Sequence, residues 1–154
     1  MGFRKVFVVV VTGGLIAAPA ALAALPKVID STGHLGSHGF FEKPTSIVYT
    51  GDGSRFFTGA PKAHHKSAPL KWTSWTATGG HGSGFDWINN CTPNCAQGTF
   101  HQRAVKLRVW RPRHEGGHFI FTRMTVTYTG ADSSSVLFKV VHSGGVWYWS
   151  YPTG

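Results

Sequence analysis

Beyond residue 23 the chain lacks any sustained apolar spacing near 3.6 residues, which argues against a helical fold. Its 20 glycines and 8 prolines oppose helices further. Cysteine is nearly missing. Cys91 and Cys95 stand in Cys-Thr-Pro-Asn-Cys, with three residues between them where a redox motif has two. No second pair completes a sulfur-rich zinc site. In an exported chain the pair reads as a disulfide that pins the turn around Pro93 and Asn94, contributing about 2 kcal/mol for so short a loop.

Acidic residues are few. Six Asp and Glu oppose 15 Lys and Arg, for a net charge of +9. Without Arg4 and Lys5 the balance is 13 against 6, or +7. Such a charge favours anionic surfaces. The cations are spread along the chain with no dense block, so solubility is the competing explanation, and no specific nucleic-acid partner is expected.

The N-terminus has export features. Arg4-Lys5 precedes an apolar run from Val6 to Ala18, and Pro19 and Ala21-Leu22-Ala23 follow. This is the order of a signal peptide, with cleavage expected after Ala23. Gly13-Gly14 and Pro19 spoil the stretch as a spanning helix. No cysteine lies near the cut to accept a lipid, so no stable membrane anchor is expected and the mature protein should be secreted or wall-associated. Residues 24–43 then read as a flexible lead-in and 44–154 as one domain.

That domain reads as all-β, a small antiparallel sandwich or barrel of about six to eight strands. Strands are expected at 46–50, 55–58, 70–76, 104–110, 118–129, 136–141 and 146–149. Residues 59–68 and the glycine-rich 79–84 read as loops, and 85–98 as irregular. Val105, Leu107 and Val109 alternate with Lys106, Arg108 and Trp110, a strand apolar inside and cationic outside. In 118–129, Ile120, Thr122, Met124, Val126 and Tyr128 share one face; Phe121 falls on the other with Arg123, Thr125 and Thr127. Trp72 and Trp75, three residues apart, should face opposite sides of their strand.

Three constellations bear on chemistry. His114-Glu115-Gly116-Gly117-His118 satisfies the H-E-x-x-H string of zinc peptidases, where a helix places both imidazoles on one face and the glutamate activates metal-bound water. Pro112, the two glycines and the flanking strands make a hairpin turn the better reading, so no metal or other cofactor is expected; a metal-dependent or His-assisted hydrolase using His114, Glu115 and His118 is the alternative. Ser83, His81 and Asp86 hold the residue types of a hydrolytic triad, but Gly82-Ser83-Gly84 lacks the G-x-S-x-G elbow. The aromatic set includes Trp72, Trp75 and Trp110. With Arg108 and Arg111 these could hold an anionic glycan or cell-wall polymer, since exposed indoles stack on sugar rings.

Ile47 with Gly51-Asp52-Gly53, Trp72-Thr73-Ser74-Trp75, Asn90-Cys91-Thr92-Pro93-Asn94-Cys95-Ala96 with Gly98, and Phe121 to Gly130 form a recurring pattern. Over 44–130 the chain resembles a family of uncharacterised small exported proteins and lipoproteins of actinobacteria. That resemblance implies export and supplies no activity. Members often begin with a lipid-accepting cysteine, and some carry a cysteine where this chain has Thr50; this chain has neither. The function expected is a non-enzymatic binding module at or near the cell envelope.

Overall fold

The computed structural model describes residues 24–31, 39–59, 68–131 and 133–150. The expected signal peptide and most of the loop at 59–68 lie outside the described residues. Ten strands and no helix occur among those described. β1 is Val28–Asp30, β2 Gly39–Phe41, β3 Ile47–Val48, β4 Arg55–Thr58, β5 Lys71–Trp75, β6 Gly79–Asn89, β7 Phe100–Glu115, β8 His118–Tyr128, β9 Ser135–Ser143 and β10 Val146–Ser150. Eight form one antiparallel sheet in the order β10-β9-β8-β7-β6-β4-β3, with β5 also on β6, and the sheet curls into a half-barrel. β1 and β2 pair separately.

The curl buries the odd positions of β7 and the even positions of β8. Val105, Leu107, Val109, Met124, Val126 and Tyr128 join Phe57, Trp75, Phe138 and Trp149 in the main core. Each large side chain so buried contributes about 1.5–3 kcal/mol over its exposed state.

The glycine-rich segment 79–84 is a strand, not the expected loop. Gly80, Gly82 and Gly84 fall on the inward positions of β6, where the absence of side chains makes room for larger ones. A Cβ at Gly80 would lie 2.8 Å from Trp75, one at Gly82 2.8 Å from Trp72, and one at Gly84 2.6 Å from Leu70. Glycine weakens a strand by its own flexibility; here the indoles packed over it supply the missing apolar contact. The strand continues through residues 85–89, also expected to be irregular.

Two expectations about facing are corrected. Trp72 and Trp75 do not oppose each other. The β5–β6 register shifts between Trp72 and Ser74, so one extra residue restores both indoles to the inner side, where they meet edge to face with centroids 4.7 Å apart. Phe121 lies in the main core, edge-on to Trp75 at 5.4 Å, while neighbouring Ile120 is buried in a second cluster with Ile29 and Trp147. The alternation breaks where Arg111 adopts φ 56° and the β7–β8 pairing passes over Arg111 and Thr122.

Residues 24–43, expected to form a flexible lead-in, are built into the fold wherever they are described. Val28 and Ile29 are fully buried. The Lys27 N–H donates to the Phe119 carbonyl and the Lys27 carbonyl accepts from Phe121, both at 2.9 Å. The Ser31 N–H reaches the Val48 carbonyl at 2.8 Å. Three indoles grip the same N-terminal part of the chain: Trp75 donates to Pro26 O, Trp149 to Ile29 O and Trp72 to Pro44 O. The segment thus crosses the open side of the half-barrel and links β8 and β10 to β3.

Candidate binding face

The register of the sheet gathers cations onto its outer side. Lys71 pairs with Ser83 across β5–β6, Ser83 with Lys106 across β6–β7, and Lys106 with Thr127 across β7–β8. One row further along, Ser74, His81, Arg108 and Thr125 align in the same way. The next row holds Gly79, Trp110, Arg123 and Lys139. Adjacent strands lie about 4.8 Å apart, so neighbouring side chains in a row are within mutual reach. Lys71, Lys106, Arg108 and Lys139 are exposed and Arg123 is half-buried. The acidic residues of strands β5 to β9 are Asp86, turned inward and fully buried, and Glu115, beside the β7–β8 turn. No carboxylate therefore faces outward beside these cations within the rows.

Trp110 sits half-exposed on this face. Its Nε1–H donates to Thr125 Oγ1 at 3.2 Å, which fixes the ring plane. The Arg108 guanidinium carbon is 5.6 Å from the ring centroid, within cation–π range. Arg123 turns back and donates to its neighbour's carbonyl, Thr122 O, at 2.8 Å. That bond eases the direct cross-strand opposition of Arg123 and Lys139. Ser74, Thr76, Thr78, His81, Arg108 and Trp110 line a shallow concavity at the β5–β6 end of the face.

The other expected site residues are distributed differently. Trp72 and Trp75 face inward, with their N–H groups already bonded, so neither indole presents its face to a ligand on the cationic side. Arg111 is exposed but stands at the irregularity, outside the rows. Arg108 and Trp110 are the two of the five that the fold brings together.

His114 and His118 lie on a two-residue hairpin. Gly116 and Gly117 take φ 54° and 80°, the left-handed values that such turns require. Glu115 pairs with His118 and His114 with Phe119, so the two imidazoles fall on opposite faces. Each stacks on a phenyl ring, His114 on Phe119 at 4.5 Å and His118 on Phe40 at 3.8 Å. No group of three or more metal-ligating side chains occurs among the described residues. The triad of Ser83, His81 and Asp86 is divided as well: Ser83 and His81 face outward and Asp86 inward.

Asp86 belongs to a polar kernel that sequence reasoning missed. Its two carboxylate oxygens accept from the Tyr49 hydroxyl at 2.8 Å and the Tyr128 hydroxyl at 2.6 Å. Burial pushes its pKa above the ordinary carboxylate value, and the two tyrosine bonds and the charges of Arg55 and Arg103 oppose that rise. Burial and the nearby Asp86 charge push the Tyr49 hydroxyl up in turn. The Arg103 guanidinium caps the Tyr128 ring at 4.2 Å. No linear motif marks this kernel; two tyrosines 37 and 42 residues from the aspartate complete it. A satisfied buried network of this kind fixes how strands β6 and β8 pack around Tyr49.

The Cys91–Cys95 disulfide closes its loop just beyond β6. Asn89 anchors that loop, donating to Cys95 O at 2.7 Å and accepting from the Cys91 N–H at 2.9 Å. The bond is consistent with an extracellular protein, and no helix among the described residues is long and apolar enough to cross a membrane.

In comparisons with protein-family models, curated proteins and solved structures, nothing matches this chain.

Proposed function

We propose that this protein is an exported, non-enzymatic binding module that holds an anionic cell-wall polymer or glycan against the outer face of its sheet. The carrying observation is the set Lys71, Lys106, Arg108, Arg123 and Lys139, placed by strand register on one face whose rows contain no carboxylate. A polymer with regularly spaced negative charges matches rows of cations on a rigid sheet. Concentrated positive charge also speeds capture of such a ligand. Hydroxyls interspersed among the cations, such as the Thr127 and Ser135 pair at 3.0 Å, add hydrogen-bonding groups for a polyhydroxylated partner.

The test is cosedimentation with isolated bacterial walls across a salt series. Retention is expected at low ionic strength, with release above about 0.15 M salt, where charges further apart than about 8 Å are screened. Replacing Lys106 and Arg108 together by glutamine should weaken retention at least tenfold. Failure to bind walls and acidic glycans at low salt refutes the reading.

A further inference from the structure

We infer that the concavity beside Trp110 is a subsite for one sugar ring bearing a negative charge, a refinement that rests on the polyanion reading above. Its volume of about 290 Å³ is at the small end of ligand sites and suits one ring, not a length of chain. Its lining divides into three chemistries. The half-exposed indole of Trp110 offers an apolar plate for the C–H face of a pyranose, held in orientation by its bond to Thr125. The Arg108 guanidinium supplies a planar donor fork suited to a carboxylate or phosphate oxygen pair. Ser74 and His81 supply short-range donors and acceptors for ring hydroxyls.

These polar groups are available. Thr76 is not: its hydroxyl donates to Gly79 O at 2.9 Å and accepts from the Gly79 N–H at 3.2 Å, holding the β5–β6 turn. The Ser74 hydroxyl, the His81 imidazole and the Arg108 guanidinium make no hydrogen bond among the described residues, while the scaffold beneath them is fixed. Thr73 Oγ1 donates to the His81 carbonyl at 3.2 Å, locking the irregularity that presents Ser74 beside His81. Lys71 and Lys106, by contrast, have no aromatic plate beside them on this face, so ring selectivity concentrates at Trp110.

Calorimetry with three probes separates this subsite from simple charge attraction: a uronic-acid oligosaccharide, a neutral oligosaccharide of equal ring number, and a polyphosphate of equal charge. The acidic oligosaccharide should bind at least tenfold more tightly than either other probe. Trp110→Ala should weaken it at least fivefold and leave polyphosphate within twofold. If Trp110→Ala does not fold, the exposed pair Ser74→Ala and His81→Ala should give the same selective loss. Equal binding of the acidic oligosaccharide and polyphosphate, unchanged in these variants, overturns the subsite and leaves the electrostatic reading in place. Equal binding of the neutral and acidic oligosaccharides overturns the charge requirement. No binding of any probe overturns both readings.

Discussion

The two faces of strands β5 to β8 use tryptophan for opposite ends. On the inner face Trp72 and Trp75 lie over glycines, and each spends its N–H on a carbonyl of the N-terminal segment. On the outer face Trp110 spends its N–H on a neighbouring strand and leaves its ring half open beside Arg108. An indole buried with its donor satisfied contributes packing; one whose edge is anchored and whose plane is wet is prepared for a ligand. The residue type does not decide which. The position of the residue in the strand register does.

The largest expected effect that tests this contrast is on the inner face. Trp75→Ala should cost about 3–5 kcal/mol, because it opens a large cavity and leaves the Pro26 carbonyl without its donor. Urea denaturation measures it, and a loss below about 1 kcal/mol would show that the N-terminal segment is not held through this indole.

The polar kernel comes next. Asp86→Asn keeps the shape but offers one acceptor oxygen to two tyrosine hydroxyls, so it should cost about 1–3 kcal/mol. The pH dependence sharpens the test. Folding raises the Asp86 pKa, chiefly through burial. Its protonation-linked stabilisation is therefore complete below the unfolded carboxyl pKa of about 3.9, and is lost as pH rises through the folded value. The variant should fall furthest behind the parent in acid, with the gap narrowing toward neutral pH. Asp52 has the opposite sign: bonds from Ser54 lower its pKa, so its contribution is present above the ordinary range and lost as pH falls through its folded value. Unfolding midpoints measured from about pH 3 to 7 separate the two.

The smallest expected stability change is on the outer face. Lys106→Gln with Arg108→Gln should alter stability by no more than about 0.5 kcal/mol while weakening polyanion binding, because these side chains are exposed and serve no packing role. A variant that unfolded instead would break the distinction between the faces.

Much of this arrangement is readable from residues alone. Alternation in Val105 to Trp110 places three side chains inside and three outside, and the chain folds that way. The Gly116-Gly117 hairpin and the disulfide loop are legible because turn chemistry and cysteine spacing act over a few residues. The misreadings share another cause. Gly80, Gly82 and Gly84 look like a loop until Trp72, Trp75 and Leu70 are seen packed over them, and nothing local announces those partners. One inserted residue in β5 and one left-handed residue, Arg111, each switch the parity of the strand positions beyond them, so strict alternation misplaces Trp72 or Trp75 and Phe121. The Asp86 kernel is non-local throughout, and the concavity beside Trp110 needs residues from three strands and the turn between β5 and β6.

The bond from Trp149 to Ile29 joins residues 120 positions apart. Contacts at such separation form late and slow folding, since a long loop must close before they can repay it. The earliest part of the described chain to be synthesised thus finds its place only after the last strand exists. Until then the open side of the half-barrel stays unsealed, and a nascent chain can be threaded through a narrow channel without first being pulled apart.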